Sequence, residues 1–398
     1  MSTPALRALA HVRSLGAPGR VPDAAITVNF HPDRLLADGR TVAQCLAEEG
    51  VYRSQFETRI SNGGLLAYPG GDRDRWEHDM FGGVYDGVTG RPIYGALNLA
   101  GHPDGAAPRF GSCHLVLGAG VPARSTFCHG DSHLGPGIVG TADAFGAIRE
   151  ALIDEVTRTG VALGVPAPLS GPAAAVPAPL SGPAAAVPAP ASDPAPAGPE
   201  PASGLDPAAG PAPRPDRTGW EDVLAARRAS LQRCLTSPPF PPAADSPPAS
   251  ASRLAPLVPA SPAAAPAPAP PLSALPPGRT LDDYVEAQIH GGLTLRDDVT
   301  AIVADPSFRG TPTAAHLESL GIPLHWHAGY TLAVTDVPAD LRGPEVPPLA
   351  RRIAARHHRP VLDAELIGRA ARAAAADPHQ LQLIKYLWHL LVLLGQPA

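Results

Sequence analysis

The amino-acid sequence predicts an α+β protein in which a mixed sheet is flanked by helices and interrupted by a long, disordered insertion rich in proline and alanine. Short β-branched or alternating segments occur in both halves of the chain, and apolar residues with helical spacing recur between them. Of the 51 prolines, 31 fall between Pro166 and Pro277. We therefore expect residues 1–163 and 278–398 to be the two halves of one composite, catalytic-type domain.

The first half supplies segments typical of strands and of helices. Thr41 can cap a helix over Thr41–Glu49, and Gly50 can end it. The glycine-rich stretch Tyr52–Gly83 lies between apolar segments, so it is either a ligand-binding loop or an ordinary long loop. The predicted strands are Ala24–His31, Pro92–Leu99, Gly111–Leu117 and Arg124–Cys128, the last two joined as a hairpin, and the other predicted helices are a short N-terminal one and Asp143–Val156.

The segment 164–277 is predicted to be a disordered, partly polyproline linker. The unit VPAPLSGPAAA occurs twice in tandem within Val165–Ala186, and proline removes backbone donors while alanine offers little surface to bury. One part of the segment, Thr218–Leu235, has a capping threonine and apolar residues that include Val223 and Leu224. It is predicted to be a helix, either docked on the folded part or solvated.

The central prediction for the second half is a strand within Tyr284–Gly292 (YVEAQIHGG). Val285, Ala287 and Ile289 alternate with Glu286, Gln288 and His290, which gives the strand one apolar and one polar face. The polar face either borders a cleft or is an ordinary solvated face. The other predicted elements are a strand at Thr300–Val303, a helix at Thr313–Leu320, two strand segments within Ile322–Val334, and helices at Val346–His357, Ala364–Ala376 and His379–Leu394.

Composition excludes several classes of function. The net charge is -6 with a pI near 6.2 and no basic run, so general nucleic-acid binding through charge is not expected. No apolar stretch reaches transmembrane length without a charge, so we expect a cytoplasmic protein that does not bind membranes. Four widely spaced cysteines do not suggest a disulfide scaffold.

Cysteines and histidines are concentrated in one region of the first half. His129 and His133 have the spacing of a metal-binding pair, but Gly130 argues against a helix that would align them. We expect no bound metal, and the alternative is a metal-dependent hydrolase that uses Cys113, Cys128, His129 and His133 after the two cysteine-bearing strands approach each other. No P-loop, GxGxxG, GxSxG or kinase signature is present.

Several phrases of the sequence resemble a bacterial domain-of-unknown-function family. They are FHPDR, YRSQFETRISNGG, YGALNL, RFGSCHLVL and STFCHGDSH in the first half, and YVEAQIHG, DPSFRG and LWH in the second. The resemblance covers both folded halves and omits the linker. It implies membership of that family but no activity.

A second resemblance is to ADP-ribosyltransferases. Those enzymes carry a histidine or arginine on a first strand, a serine-threonine pair or tyrosine on a middle strand, and a catalytic glutamate on a late strand. His31 or Arg34, Ser125-Thr126 and Glu286 occur in that order here, with Gln288 two residues after the glutamate.

The resemblance to ADP-ribosyltransferases implies that NAD is a substrate and that ADP-ribose is transferred to an unknown acceptor, either a protein or a small molecule. Glu286, Ser125, Thr126 and Gln288 would be the catalytic group. His31 or Arg34 and the loop Asn62-Gly63-Gly64 would bind the dinucleotide, with Tyr52, Phe56 and Tyr68 as candidates for stacking on nicotinamide. A non-catalytic binding module is the remaining alternative.

Overall fold

A computed structural model of the protein describes residues 3–60, 67–132, 135, 137–168, 217–236 and 281–398. These residues confirm the predicted α+β class, with a mixed eight-stranded sheet and helices on both of its faces. The predicted loop residues Asn62, Gly63 and Gly64, as well as His133, lie outside the described residues. So does most of the predicted linker, of which one helix is described.

The predicted elements recur with most of their ends shifted by no more than about three residues, as assignment of helix and strand ends commonly allows. The helices are α1 (Thr3–Leu15), α2 (Val42–Glu49), α3 (Gln55–Thr58), α4 (Asp72–Phe81), α5 (Gly146–Thr159), α6 (Arg217–Thr236), α7 (Leu295–Asp298), α8 (Pro312–Glu318), α9 (Val346–His357), α10 (Ala364–Ala373) and α11 (Pro378–Leu394). The strands are β1 (Ile26–Phe30), β2 (Val51–Tyr52), β3 (Ile93–Leu97), β4 (Cys113–Leu117), β5 (Ser125–His129), β6 (Val139–Thr141), β7 (Val161–Ala162), β8 (Val165–Pro166), β9 (Val285–Ile289), β10 (Leu293–Thr294), β11 (Val299–Ala304), β12 (Leu324–Trp326), β13 (Leu332–Ala333) and β14 (Val361–Leu362).

The main sheet has the strand order β12-β11-β4-β1-β3-β9-β5-β6. Only β11 and β12 run parallel, and every other neighbouring pair is antiparallel. The predicted hairpin between β4 and β5 is wrong, because β1, β3 and β9 lie between these two strands. The short connection at Val121–Arg124 therefore crosses from one part of the sheet to the other.

Strand β9 joins the second half of the chain to the middle of the first. It pairs with β3 from Ile93↔Ile289 to Leu97↔Val285, and with β5 from Ser125↔Ile289 to His129↔Val285. The small sheet of β10 and β2 makes a further connection, through Leu293 and Tyr52. Removing the second half would leave β3 and β5 each without a neighbour on one side.

The two faces of β9 are both covered by other elements. Val285, Ala287 and Ile289 belong to the main hydrophobic core, which includes Phe127 and Ile148. The opposite face of the sheet is covered by α1 and α4, whose apolar side chains pack with Cys128 and Val139. Helix α4 was not expected, since the sequence around it was interpreted as a loop.

Helix α6 confirms the predicted helix within the inserted segment and is docked on the folded part. Trp220 and Leu224 are buried in the main core, and the Trp220 indole donates to the Val165 carbonyl at 3.0 Å. Arg227 and Arg228 donate to the carbonyls of Ala100 and Leu99. Of the apolar residues named for this helix, Leu224 lies in the docked face, whereas Val223 is exposed.

The position of β9 predicts that the first half cannot fold alone. Residues 1–168 lack the strand that satisfies one edge of β3 and one edge of β5, so their circular-dichroism melt should be broad. Adding residues 278–398 should restore a cooperative transition, because it restores both ladders. A sharp, reversible melt of the first fragment by itself would contradict the composite domain.

Candidate functional site

A cavity opens where β1 and β3 separate. Their pairing is limited to Ile26↔Leu97 and Thr27↔Ala96, whereas β1 stays paired with β4 through Phe30. The resulting gap leads into about 1110 Å³ of empty space, counted with the open solvent at its mouth. Small-molecule sites are typically concave clefts lined by apolar side chains and a few polar groups.

Glu286 lines this cavity and is almost completely buried, at 4% exposure. One carboxylate oxygen accepts from the Ser132 backbone N–H at 3.2 Å, and the other accepts from the Gln288 amide at 3.0 Å. Burial raises the pKa of Glu286, as does the nearby Asp131, while Arg73 and the two hydrogen bonds act in the opposite direction. The structure therefore holds the carboxylate in one orientation in the wall of the cavity.

A chain of buried hydrogen bonds runs behind Glu286 along the polar face of β9. The Thr126 hydroxyl donates to the Gln288 side-chain oxygen at 2.8 Å and lies 3.1 Å from Nε2 of His290. The other ring nitrogen of His290 is 2.6 Å from the Tyr85 hydroxyl. Burial lowers the pKa of His290 to about 3, and Arg124 contributes to this, so the imidazole is neutral near pH 7.

Helix α4 contributes charged groups that the sequence interpretation missed. Arg73 lines the cavity, lies 4.2 Å above the Tyr94 ring and donates to the Ser132 hydroxyl at 2.7 Å. Its buried Nε has no hydrogen-bond partner among the described residues. Glu77, fully buried on the same helix, accepts from Arg91 and Tyr94, both at 2.8 Å.

Sequence signals for α4 do exist. Gly70-Gly71 precedes Asp72 and Asp74 in the first turn, Trp76 and Met80 follow at helical spacing, and Gly82 ends the helix in the left-handed conformation. These signals define a helix start, an apolar stripe and a stop.

A second carboxylate, Asp131, lines the same cavity. Arg109 donates to it at 3.1 Å and also forms an ion pair with Asp282. Both Glu286 and Asp131 therefore face the cavity with an arginine nearby, Arg73 for one and Arg109 for the other. Each guanidinium offsets part of the negative charge of its carboxylate, which lowers the cost of burying that carboxylate.

His31 and Arg34 also line the cavity, so both candidates for the first-strand position reach the same space as Glu286. Burial lowers the pKa of His31 to about 3, assisted by the charges of Arg34 and Lys385, which leaves a neutral imidazole. Gln55 lines the cavity as well, and its buried Oε1 has no hydrogen-bond partner among the described residues. An unsatisfied buried acceptor in a cavity indicates a ligand or water that donates to it.

The two residues of the Ser125-Thr126 pair point to opposite faces of β5. Ser125 donates to the Val121 carbonyl at 2.9 Å and does not line the cavity. Thr126 faces the same side as Glu286 but contacts Gln288 rather than the cavity. Of the three aromatic candidates, Tyr52 lines the cavity, Phe56 lies under the Arg91 guanidinium, and Tyr68 is half exposed.

The cysteine-based metal site is contradicted by the sheet order. Cys113 on β4 and Cys128 on β5 are separated by three strands, so four spacings of about 4.8 Å place them roughly 19 Å apart. Both are buried thiols whose pKa is raised chiefly by burial. The described residues also contain no group of three His, Cys, Asp or Glu side chains able to bind a metal.

The fold and the site together define an α+β protein with a buried carboxylate in the wall of a cavity. The chain belongs to a family of proteins of unknown function, DUF3626, which matches residues 25–170 and 271–394 and omits the inserted segment. No curated protein matches the sequence. Among the described residues, no helix combines the length and hydropathy needed to cross a bilayer.

The hydrogen-bond chain behind Glu286 predicts a specific loss of stability. Thr126→Val preserves shape but removes the donor to Gln288 and the contact to His290, so the free energy of unfolding should fall by about 1–3 kcal/mol in denaturant titrations. Thr300→Val, an exposed strand threonine bonded to the Val116 carbonyl, is the control and should lose less than about 0.5 kcal/mol. Equal losses in the two variants would show that the chain is not a stabilising unit.

Proposed function

We propose that the protein cleaves NAD and transfers ADP-ribose to an acceptor, with Glu286 as the catalytic carboxylate. The observation that carries this proposal is the single cavity lined by Glu286, His31 and Arg34, which are far apart in sequence. This set of residues and this order along the chain are those that the resemblance to ADP-ribosyltransferases implies. The acceptor is a nucleophile of a protein or a small molecule.

The chemistry requires negative charge beside the ribose. The bond between ribose C1′ and the nicotinamide nitrogen breaks with its electron pair moving to the ring, and neutral nicotinamide leaves. C1′ acquires oxocarbenium-like positive charge until the acceptor forms the new bond and gives its proton to solvent. A carboxylate fixed by two hydrogen bonds, as Glu286 is, stabilises that charge without reorganising during the reaction.

Binding of the dinucleotide would fall to other groups that line the cavity. Arg34 offers a guanidinium for the pyrophosphate, and the neutral His31 can donate or accept one hydrogen bond. Tyr52 and Phe110 provide aromatic surfaces for a base or the nicotinamide ring. The Gln55 Oε1 atom, which has no hydrogen-bond partner among the described residues, can accept from an amide or hydroxyl donor of the substrate. Gln288 and Thr126 are positioning residues in this proposal, since they hold Glu286 and do not line the cavity.

The raised pKa of Glu286 fixes the sign of the pH dependence. The reaction needs the ionised carboxylate, and a raised pKa means that ionisation is lost at higher pH than for an exposed glutamate. Activity should therefore fall on acidification, with a midpoint above the ordinary value of 4.5. Because the pKa is higher in the folded than in the unfolded protein, ionisation of Glu286 lowers the free energy of unfolding as the pH rises. Glu286→Gln removes this loss of stability.

The test is release of nicotinamide from NAD by the purified protein. Glu286→Gln keeps the side-chain shape and should lower kcat by at least about a hundredfold, because one preorganised electrostatic group is removed. NAD affinity should change far less, since the stabilised charge exists mainly in the transition state. Glu150→Gln, an exposed position on α5, is the matched control and should keep full turnover. Undiminished turnover by the Glu286 variant would exclude this role.

A further inference from the structure

Helix α6 lies on a surface made by residues that are distant from it in sequence. Its less exposed side chains recur at the spacing of one helical face and include Trp220, Leu224, Arg227, Leu231 and Leu235. The first two are buried in the main core. At the other end of the helix, Leu235 packs against a cluster on β4 and β11 that consists of Val116, Ala301 and Val303. One face of α6 is therefore docked near both of its ends.

Polar groups of α6 bind the turn after β3 and helix α5. Arg227 and Arg228 donate to carbonyls of the Leu99-Ala100 pair, at 2.7 and 2.8 Å. The carboxylate of Glu221 accepts two hydrogen bonds from Arg149 on α5, at 2.8 and 2.9 Å. Tryptophan and arginine side chains in such positions commonly supply most of the affinity of a protein interface.

The turn after β3 is shaped to receive the backbone of a helix. Gly101 has a φ of 61°, in the left-handed region that favours glycine. A Cβ atom at this position would lie 2.8 to 2.9 Å from backbone atoms of Arg227 and Arg228, which is too close for a side chain. The lack of a side chain at Gly101 therefore allows α6 to approach the turn closely.

The surface and the helix belong to different parts of the chain. The α6-binding surface consists of Leu99–Gly101, Val116, Arg149, Val165, Ala301 and Val303. All of these residues lie in the segments that match the family, whereas α6 lies between those segments. Neither connection, 169–216 or 237–280, is short enough to force α6 onto this surface, since an extended chain of that length can span more than about 100 Å. The contacts themselves must therefore hold the helix in place.

We propose that the α6-binding surface is a docking site for an amphipathic helix, and that α6 is its ligand, able to bind from a second copy of the chain as well as from its own. The recognised helix has a tryptophan, a leucine four residues later, and arginines seven and eight residues later. Recognition of a helix through anchors at such spacing is a recurring mode of peptide binding. The proposal is independent of NAD cleavage, because no residue of the α6-binding surface lines the cavity that contains Glu286.

The test is binding of a fluorescein-labelled peptide of residues 217–236 to the full chain, measured by fluorescence anisotropy. In the wild-type chain the attached helix competes with the peptide at high effective concentration. Trp220→Ala in the chain removes the buried anchor of the attached helix, so the peptide should bind this variant at least about tenfold more tightly than it binds the wild-type chain. Arg227→Gln in the chain leaves the buried core unchanged and should strengthen peptide binding by about threefold or more.

Changes in the peptide test which face is recognised. Trp220→Ala in the peptide should weaken its binding to the Trp220→Ala chain by at least about tenfold. Val223→Ala, on the exposed side of the helix, is the matched control and should leave the affinity unchanged. Equal affinities of these two peptides would overturn the proposal, and so would a peptide that binds neither the Trp220→Ala chain nor the Arg227→Gln chain.

A change in the turn after β3 tests the other side of the interface. In the Trp220→Ala chain, Gly101→Ala should lower peptide affinity by at least about tenfold, because its Cβ would meet the helix backbone. Gly87→Ala is the matched control, since Gly87 has a similar φ of 68° but no atom within 4 Å of an added Cβ. Circular dichroism verifies that each variant is folded. Equal effects of the two glycine substitutions on peptide binding would contradict the docking site.

Discussion

The structure depends on accommodating the carboxyl group of Glu286 inside the sheet. Glu286 sits on a strand that is buried on both faces and paired on both edges. An ionised carboxylate without partners in such a place would cost several kcal/mol. The cost is offset by the Ser132 amide, the Gln288 amide and the charge of Arg73.

That constraint connects otherwise separate parts of the molecule. Gln288, which donates to Glu286, accepts from Thr126, and Thr126 also contacts His290. His290 is in turn covered by Tyr85 and Phe81. The two aromatic residues come from α4 and the turn after it, so α4 both shields the chain of hydrogen bonds and provides Arg73. The early separation of β1 from β3 then opens a route for a ligand to the carboxylate.

Local patterns in the sequence were enough to predict the individual elements. Alternation along Tyr284–Gly292 correctly assigned Glu286, Gln288 and His290 to one face, and helix α9 has the bounds that its spacing predicted. The predicted helix within the inserted segment is present, with Leu224 buried against the core. These successes share one cause, since strand and helix periodicities depend only on nearby residues.

Features set by distant pairing could not be predicted in this way. The neighbours of β4 and β5 in the sheet come from elsewhere in the chain, so proximity in sequence suggested a hairpin and a cysteine pair that the strand order excludes. The alternation of side chains along a strand could have predicted that Ser125 and Thr126 point to opposite faces of the sheet, because adjacent residues of a strand always do. Helix α4 was not predicted because its many charged residues obscured the helical spacing of Trp76 and Met80. Arg73 and Glu77, which lie on the same helix, were therefore not identified as site residues.

The central claim is that a substrate ribose meets Glu286 in the gap between β1 and β3. A crystal structure of the Glu286→Gln protein with NAD tests it most directly, because the variant should bind the dinucleotide and turn it over slowly. We expect density for NAD in the gap, with ribose C1′ within about 3.5 Å of the side chain at position 286. NAD bound elsewhere on the molecule, or a gap that stays without NAD under saturating conditions, would contradict the account.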